Sequence, residues 1–567
     1  MKKKAMILSA VALAASNVMA GSLTLTPSKD NTMFYDPNVG VSNGAGPYMF
    51  VGATAGGNVR RALMAFDITN GLPTNASVTS ATLTVNVSKA QLASNIELHA
   101  ATKDWGEGAS NSGDPGGSGA LSQPGDASWF YNFYQSSHWT NPGGDYSSTV
   151  SAVTPLGNGG GVFSGSQMVA DIQNWKANPS ANFGWVLKSP DETPSTAKRI
   201  DSRENLIAEN RPALTVGYNA ATWKTMGGPW SSPGSWNFGI PNTAGAEANF
   251  TFASGTGMIA VTVDAPKTIS YLNISSTNRY SFSGAAINLN RSTGNMRINV
   301  GQGDHEMQNA LNLQKNTDVE IAAGATLAVK GAFSSGGINI KKTGEGTLKV
   351  NRIVAAGLNV EGGRIIVPPN GADNNLSTIN ALTMDPAAVL DLNDNDLVVN
   401  NGNFQALSAL VFQGYRDAVD TLAIGIISTT SQTTPGHPIL ALFDNAIVQT
   451  SDFPFGSGQA LAPNAIAGKY TYIGDADMNG MVTPDDYGAV DSNLGSFVDP
   501  RSSWFAGDWN FDGQITPDDY LAIDANLGLG ENQPLGTNGL AAVPEPGVGT
   551  VMGVAAVIAV RRRRRQR

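Results

Sequence analysis

From residue 21 to residue 218 apolar and polar residues alternate in short runs, as in Leu23-Thr24-Leu25, Ala81-Thr82-Leu83-Thr84-Val85-Asn86-Val87 and Ala213-Leu214-Thr215-Val216, broken by Gly, Pro, Asn and Asp. Period-two alternation places one face of a strand in a core and the other in water, so residues 21–218 read as a β-sandwich or jelly roll. One stretch departs from it: Met168, Val169, Ile172 and Trp175 share a helical face, with Ser166 placed to cap it and Pro179 beyond its end. Between residues 219 and 470 short strands recur, among them Val319-Glu320-Ile321, Thr326-Leu327-Ala328-Val329, Ile338-Asn339-Ile340 and Leu358-Asn359-Val360. Apolar residues two apart, with Gly-Gly or Asn turns between them, suit the rungs of a parallel β-solenoid. The spacing is irregular, which keeps a second sandwich as the alternative. Trp223, Trp230 and Trp236, followed by Ile240-Pro241-Asn242, are placed to cap the first rung. The expected fold is mainly β, with a small α module near the C-terminal end.

The chain has 567 residues, no cysteine, 65 glycines and 29 prolines, with 35 Lys+Arg against 45 Asp+Glu. Without cysteine it is not a disulfide scaffold, a thiol enzyme, a thiolate metal site or a lipid-anchored lipoprotein. Nine basic residues, Lys2, Lys3, Lys4 and six arginines between 561 and 567, stand at the extreme ends. Setting them aside leaves 26 basic against 45 acidic residues, a balance near −19 that phosphate backbones repel, so no nucleic acid partner is expected.

The acidity is concentrated in a segment that repeats at an offset of 33 residues, beginning at Gly474 and again at Gly507. A twelve-residue calcium loop supplies oxygens from positions 1, 3, 5, 7, 9 and 12, with glycine at position 6 for the turn, and the ion takes about six to eight of them. Counting from Asp475 gives Asp475, Asp477, Asn479, the Met481 carbonyl, Thr483 and Asp486; counting from Asp508 gives Asp508, Asn510, Asp512, the Gln514 carbonyl, Thr516 and Asp519. Gly480 and Gly513 fall at position 6, and Val482 and Ile515 at position 8, from where they can pair the two loops across a short strand. Pro484 or Pro517 opens a helix after each loop, and Gly495 or Gly528 follows its end. Position 12 is Asp rather than Glu in both. A loop followed by a single helix, given twice, resembles the type I dockerin. The resemblance implies a calcium-dependent module over residues 471–530 holding two Ca2+ ions. Positions 10 and 11, where cellulosomal dockerins select a partner, are Pro484-Asp485 and Pro517-Asp518, so a cohesin-like partner is not carried over.

Residues 1–20 join the lysine cluster to an apolar run ending in Val18-Met19-Ala20, the layout of a secretory signal peptide that signal peptidase cuts after Ala20. After a linker, 531–543, Pro544-Glu545-Pro546 precedes small and apolar residues 547–560 and the arginine cluster 561–567. Fourteen apolar residues are few for a bilayer that takes about 20, and they read as a transient anchor with the arginines on the cytoplasmic face. The order resembles the PEP-CTERM sorting signal of exopolysaccharide-producing Gram-negative bacteria. It implies processing by an exosortase-type enzyme near Pro544, Glu545 and Pro546, and a destination in the cell envelope or extracellular matrix. A permanent C-terminal anchor is the alternative.

Within residues 21–218, Asn43-Gly44-Ala45-Gly46-Pro47, Arg60-Arg61-Ala62-Leu63-Met64-Ala65-Phe66-Asp67-Ile68, Asp104-Trp105-Gly106-Glu107-Gly108, Trp139 with Pro142-Gly143-Gly144-Asp145, Asn182-Phe183-Gly184-Trp185 and Lys198-Arg199-Ile200-Asp201-Ser202-Arg203-Glu204-Asn205 resemble the DNRLRE-domain family of secreted β-sandwich modules, which has carbohydrate-binding members. Trp129, Tyr131, Tyr134 and Trp139 can offer flat faces to sugar rings, or else fill the core. Arg199 and Arg203 can grip the carboxylates of an acidic glycan, or else pair with Asp201 and Glu204. Lys341-Lys342-Thr343-Gly344-Glu345-Gly346-Thr347-Leu348 resembles the signature of autotransporter-associated β-strand repeats.

Signs of catalysis are weak. His99, His138, His305 and His437 have no metal-ligand spacing, and His305-Glu306 lacks a second imidazole because Asn309 stands in its place. The expectation is a non-catalytic exported protein that binds or organises extracellular polysaccharide. A purely structural matrix protein is the competing class, and a polysaccharide lyase or hydrolase built on the solenoid is the third.

Overall fold

The computed structural model describes residues 20–37, 40–370, 375–455 and 457–535. The expected export and sorting segments, residues 1–19 and 544–567 with Pro544, Glu545 and Pro546, lie outside the described residues, as does most of the linker. No described helix is long and apolar enough to cross a membrane. The chain is mainly β and contains a parallel β-solenoid of about eight turns. It divides into two compact units, residues 1–320 and 321–567, a division that falls within the central region rather than at either of its ends.

In the first unit, residues 20–219 form antiparallel strands. Ala20–Leu25 pairs with Ala213–Asn219, which pairs with Ser77–Ala90, while Lys29–Phe34, Val59–Ala65, Trp185–Lys188 and Ser94–Ala101 continue the pairing. Alternation works as expected: Ala81, Leu83, Val85 and Val87 of one strand are buried and meet Leu98, Leu187, Ile200 and Leu214 in one core. The helix Ser166–Ala177 lays Met168, Ile172 and Trp175 against that core. Its N-cap is Gly165 rather than Ser166, and no side chain caps it. Asp171 is also buried on the helix, where it accepts the indole N–H of Trp185 at 3.0 Å.

Parallel rungs follow. One face consists of Ala221–Trp223, Glu247–Phe250, Tyr271–Ser275 and Met296–Gln302; a second of Gly227–Pro229, Met258–Val263, Arg279–Gly284 and Asp304–Met307; a third of Lys267–Ile269, Ile287–Leu289 and Leu311–Leu313. Asparagines stack from rung to rung, with Asn273 donating to Asn249 at 2.9 Å and Asn312 to Asn288 at 2.8 Å. The first layer is aromatic: Trp223, Trp230 and Trp236 ring Phe250 at 5.9, 5.3 and 5.3 Å. All four are buried, which is the capping role their clustering in sequence suggests.

In the second unit the rungs continue through Asn339–Thr343, Val354–Val360, Ser377–Met384 and Leu397–Val399 on one face, and Thr326–Val329, Thr347–Val350, Arg364–Ile366, Val389–Asp391 and Gly425–Ile427 on another. The Lys341–Leu348 motif has a structural cause. Lys342 is buried, its ammonium donates to the carbonyls of Thr343, Gly344 and Gly362, and burial pushes its pKa down to about 8. The parallel pattern ends at Ile466–Thr471, which runs antiparallel to both Leu397–Val399 and Ile439–Asp444. The helix Phe404–Gly414 buries Leu407 and Val411 there, capped by Asn403 accepting from Ala406 N–H at 2.9 Å.

Candidate functional site

Both acidic loops adopt the turn that their spacing predicts. Gly480 and Gly513 have φ of 84° and 85°, and each loop leads through a short turn into a helix, Tyr487–Asn493 or Tyr520–Asn526, with Gly495 and Gly528 at positive φ after it. In the first loop Asp475 accepts the N–H groups of Asn479 and Gly480 at 3.0 and 2.8 Å and the Thr471 hydroxyl, while Asp486 accepts those of Ala476 and Thr483 at 2.7 and 2.8 Å. The second loop repeats this, with Asp508 holding Asp512 and Gly513 and Asp519 holding Trp509 and Thr516. Oxygens of Asp475, Asp477 and Asp486 lie within 4.8 Å of one another; the carboxylates of the second loop are not gathered as closely. Burial pushes Asp475 up to about 7, with Asp477 acting in the same sense, and raises Asp486 and Asp508.

An all-oxygen set with three carboxylates, gathered within 4.8 Å of one another and held by a glycine turn, fits a hard divalent cation. The ligands would be those the spacing names: Asp475, Asp477, Asn479, the Met481 carbonyl, Thr483 and Asp486, then Asp508, Asn510, Asp512, the Gln514 carbonyl, Thr516 and Asp519. One expectation is corrected. Val482 and Ile515 do not pair the loops with each other: Val482 exchanges hydrogen bonds with Gly528 and Leu529, and Ile515 with Gly495 and Ser496. Each loop is thus tied to the end of the other repeat's helix, and the same exchange recurs in Tyr487 bonding Asp524 and Tyr520 bonding Asp491.

The proposed sugar platform is also corrected. Trp129 and Trp139 are 9 % and 5 % exposed, lie in a core with Met33 and Trp105, and turn no free face to solvent. Arg199 pairs with Asp114 at 3.1 Å and lies over Tyr48, while Asp201 accepts from Asn86 instead. Arg203 pairs with Glu204 at 2.5 Å and Glu107 at 3.2 Å. Of the six residues only Tyr131 and Tyr134, half-buried and edge to face at 5.2 Å, retain exposed ring surface.

A different polar cleft lies where the last antiparallel strand meets the first rungs, all within the first unit. It encloses about 410 Å3 and is lined by Tyr218, Glu247, Tyr271, Asn273, Asn295, Arg291, Arg297 and Asp318. Asn75 holds the Glu247 backbone through two hydrogen bonds, both at 2.9 Å. The Glu247 carboxylate accepts from Tyr218 at 3.1 Å and Asn273 at 2.6 Å, and burial raises its pKa. Arg291 and Arg297 lie over Tyr271 at 5.1 and 5.7 Å, Arg291 buried and Arg297 exposed. Sequence reasoning missed this cleft because its residues come from strands scattered between 218 and 318. The one local sign is Arg297 and Tyr271 falling opposite each other in parallel register.

No protein-family model matches the chain, and no curated protein matches it.

Proposed function

We propose that the chain is an exported, non-catalytic surface or matrix protein that binds acidic polysaccharide in the cleft between its antiparallel unit and its first rungs. In this reading residues 21–218 are a β-sandwich, residues 471–530 a dockerin-like module with two calcium ions, and residues 544–567 a sorting signal processed by an exosortase-type enzyme. The observation that carries the binding assignment is the cleft lining: an exposed guanidinium for a uronate carboxylate, a tyrosine ring beneath it, and Asn and Asp side chains for hydroxyls.

In the same reading the calcium module supports the last rungs of the second unit. Within the second unit Phe511, at position 4 of the second loop, packs on Phe412 of the helix Phe404–Gly414 at 4.7 Å, and Asp444 N–H bonds the Arg501 carbonyl at 2.9 Å. A loop ordered by calcium would hold this closure, which cysteine-free modules cannot obtain from disulfides. The test is retention of the secreted chain on a panel of immobilised neutral and acidic polysaccharides. Retention on acidic members is expected. No retention on any member ends the binding reading in favour of a structural protein, and unsaturated sugar ends in the eluate replace binding by lyase cleavage.

A further inference from the structure

We infer that Asp30, Glu107 and Glu204 form a third divalent-cation site, of the calcium type, inside the antiparallel unit and separate from the acidic repeat. The three residues arrive from distant parts of the chain: Asp30 from the strand Lys29–Phe34, Glu107 from the loop after Ser94–Ala101, and Glu204 from the turn after Lys198–Asp201. Oxygens from all three carboxylates nevertheless lie within 4.8 Å of one another. Oxygens bound at about 2.3–2.6 Å to one calcium ion fall within such a span.

Two further observations point to a ligand. Asp30 is 0 % exposed, and its Oδ1 is buried with no hydrogen-bond partner; Glu204 Oε2 is buried and lacks one too. Leaving an anionic oxygen buried and unpaired is among the most costly arrangements in a protein interior, and two of them sit in one cluster. The second observation is charge. Arg203 is the cluster's own cation, pairing Glu107 and Glu204 through Nε while its backbone N–H donates to Asp30 Oδ2 at 2.8 Å. Lys29 is taken by Asp104 at 2.7 Å. Three carboxylates against one guanidinium leave two negative charges, the charge of a divalent ion.

Such an ion would staple three chain segments, the task a disulfide performs in other exported modules. The test is calcium stoichiometry of the chelator-stripped full chain by equilibrium dialysis, with thermal unfolding in parallel. Wild type is expected to bind one ion more than the acidic repeat accounts for. A chain carrying Asp475→Asn and Asp508→Asn should keep a calcium-dependent rise in unfolding temperature. Adding Asp30→Asn or Glu204→Gln should abolish that rise and weaken the remaining binding by about ten- to a hundredfold or more. Asn and Gln preserve shape, and circular dichroism in chelator checks that each variant is folded. The inference is overturned if Asp30→Asn and Glu204→Gln leave stoichiometry and calcium response unchanged. It is equally overturned if Asp30→Asn stabilises the chelated chain while wild type gains nothing from calcium, since the cluster would then be an ion-pair network complete with Arg203.

Discussion

In the proposed calcium loop, Asp475 is the residue on which proton and cation would compete. Its folded value of about 7 lies far above the unfolded value near 3.9, so in chelator the folded loop holds a proton that the unfolded chain releases. The stability this proton contributes is fully present below about pH 4 and is lost as the pH rises through about 7. In the proposed site calcium would take over the role the proton leaves. The rise in unfolding temperature on adding calcium is therefore expected to grow between about pH 5 and about pH 7.5; a pH-independent rise would contradict this assignment of Asp475. The two loop glycines separate strain from collision. Gly513→Ala meets nothing within 4 Å, so its cost is that of holding a left-handed residue, about 1–3 kcal/mol. Gly480→Ala suffers the same strain and also drives a Cβ to 2.3 Å from the Leu535 carbonyl, so it should unfold the calcium-loaded chain at a lower temperature than Gly513→Ala does. Both glycines were legible from spacing alone, because position 6 of the loop is a backbone requirement that local sequence expresses. The two buried tryptophans show the opposite. Trp129 and Trp139 carry no local mark that distinguishes a ring in a core from a ring at a surface.

At the scale of elements, strands were legible wherever one face is buried and one is wet, as in Ser77–Ala90. The solenoid was legible in kind but not in period, and its register gives the reason. Ala248 aligns with Leu272, Leu272 with Ile298, Ile340 with Leu358 and Ile379 with Val399, separations of 24, 26, 18 and 20 residues. Turns of different length are absorbed at the corners while the inward apolar residues stay aligned, so no fixed repeat survives in sequence. The helix Phe404–Gly414 was overlooked, although Asn403 before Phe404, Leu407 and Val411 is a cap followed by helical spacing. In the first rungs, within the first unit, Phe250 is fully buried among three tryptophans, Tyr280 and Phe282. Phe250→Ala is expected to cost about 3–5 kcal/mol, read as a lower denaturation midpoint, because a rigid aromatic layer cannot collapse into the space. A loss under about 1 kcal/mol would mean that this layer is not what closes the first rung.

For the whole molecule, charge is organised by position. The net of −10 combines a strongly acidic body with basic ends, and two triads, Asp30 with Glu107 and Glu204 and Asp475 with Asp477 and Asp486, gather part of that acidity into oxygen clusters that suit cations. Local motifs announced the acidic repeat, yet the cleft and the Asp30 cluster could not be read from sequence, since each gathers residues more than 70 positions apart. Placing the proposed glycan contact on Arg297 and Tyr271 rather than on Arg199, Arg203 and the buried tryptophans moves it to the meeting of two architectures. Neither part alone would then suffice for binding. The most direct test compares wild type with Arg297→Ala for binding to a uronate-rich polysaccharide in calcium-containing buffer at two salt concentrations. Arg297 is exposed on the rim, so the variant should fold as wild type does. The account predicts wild-type binding that weakens with salt and a loss of about tenfold in Arg297→Ala; equal binding by both proteins, or binding by neither, would contradict it.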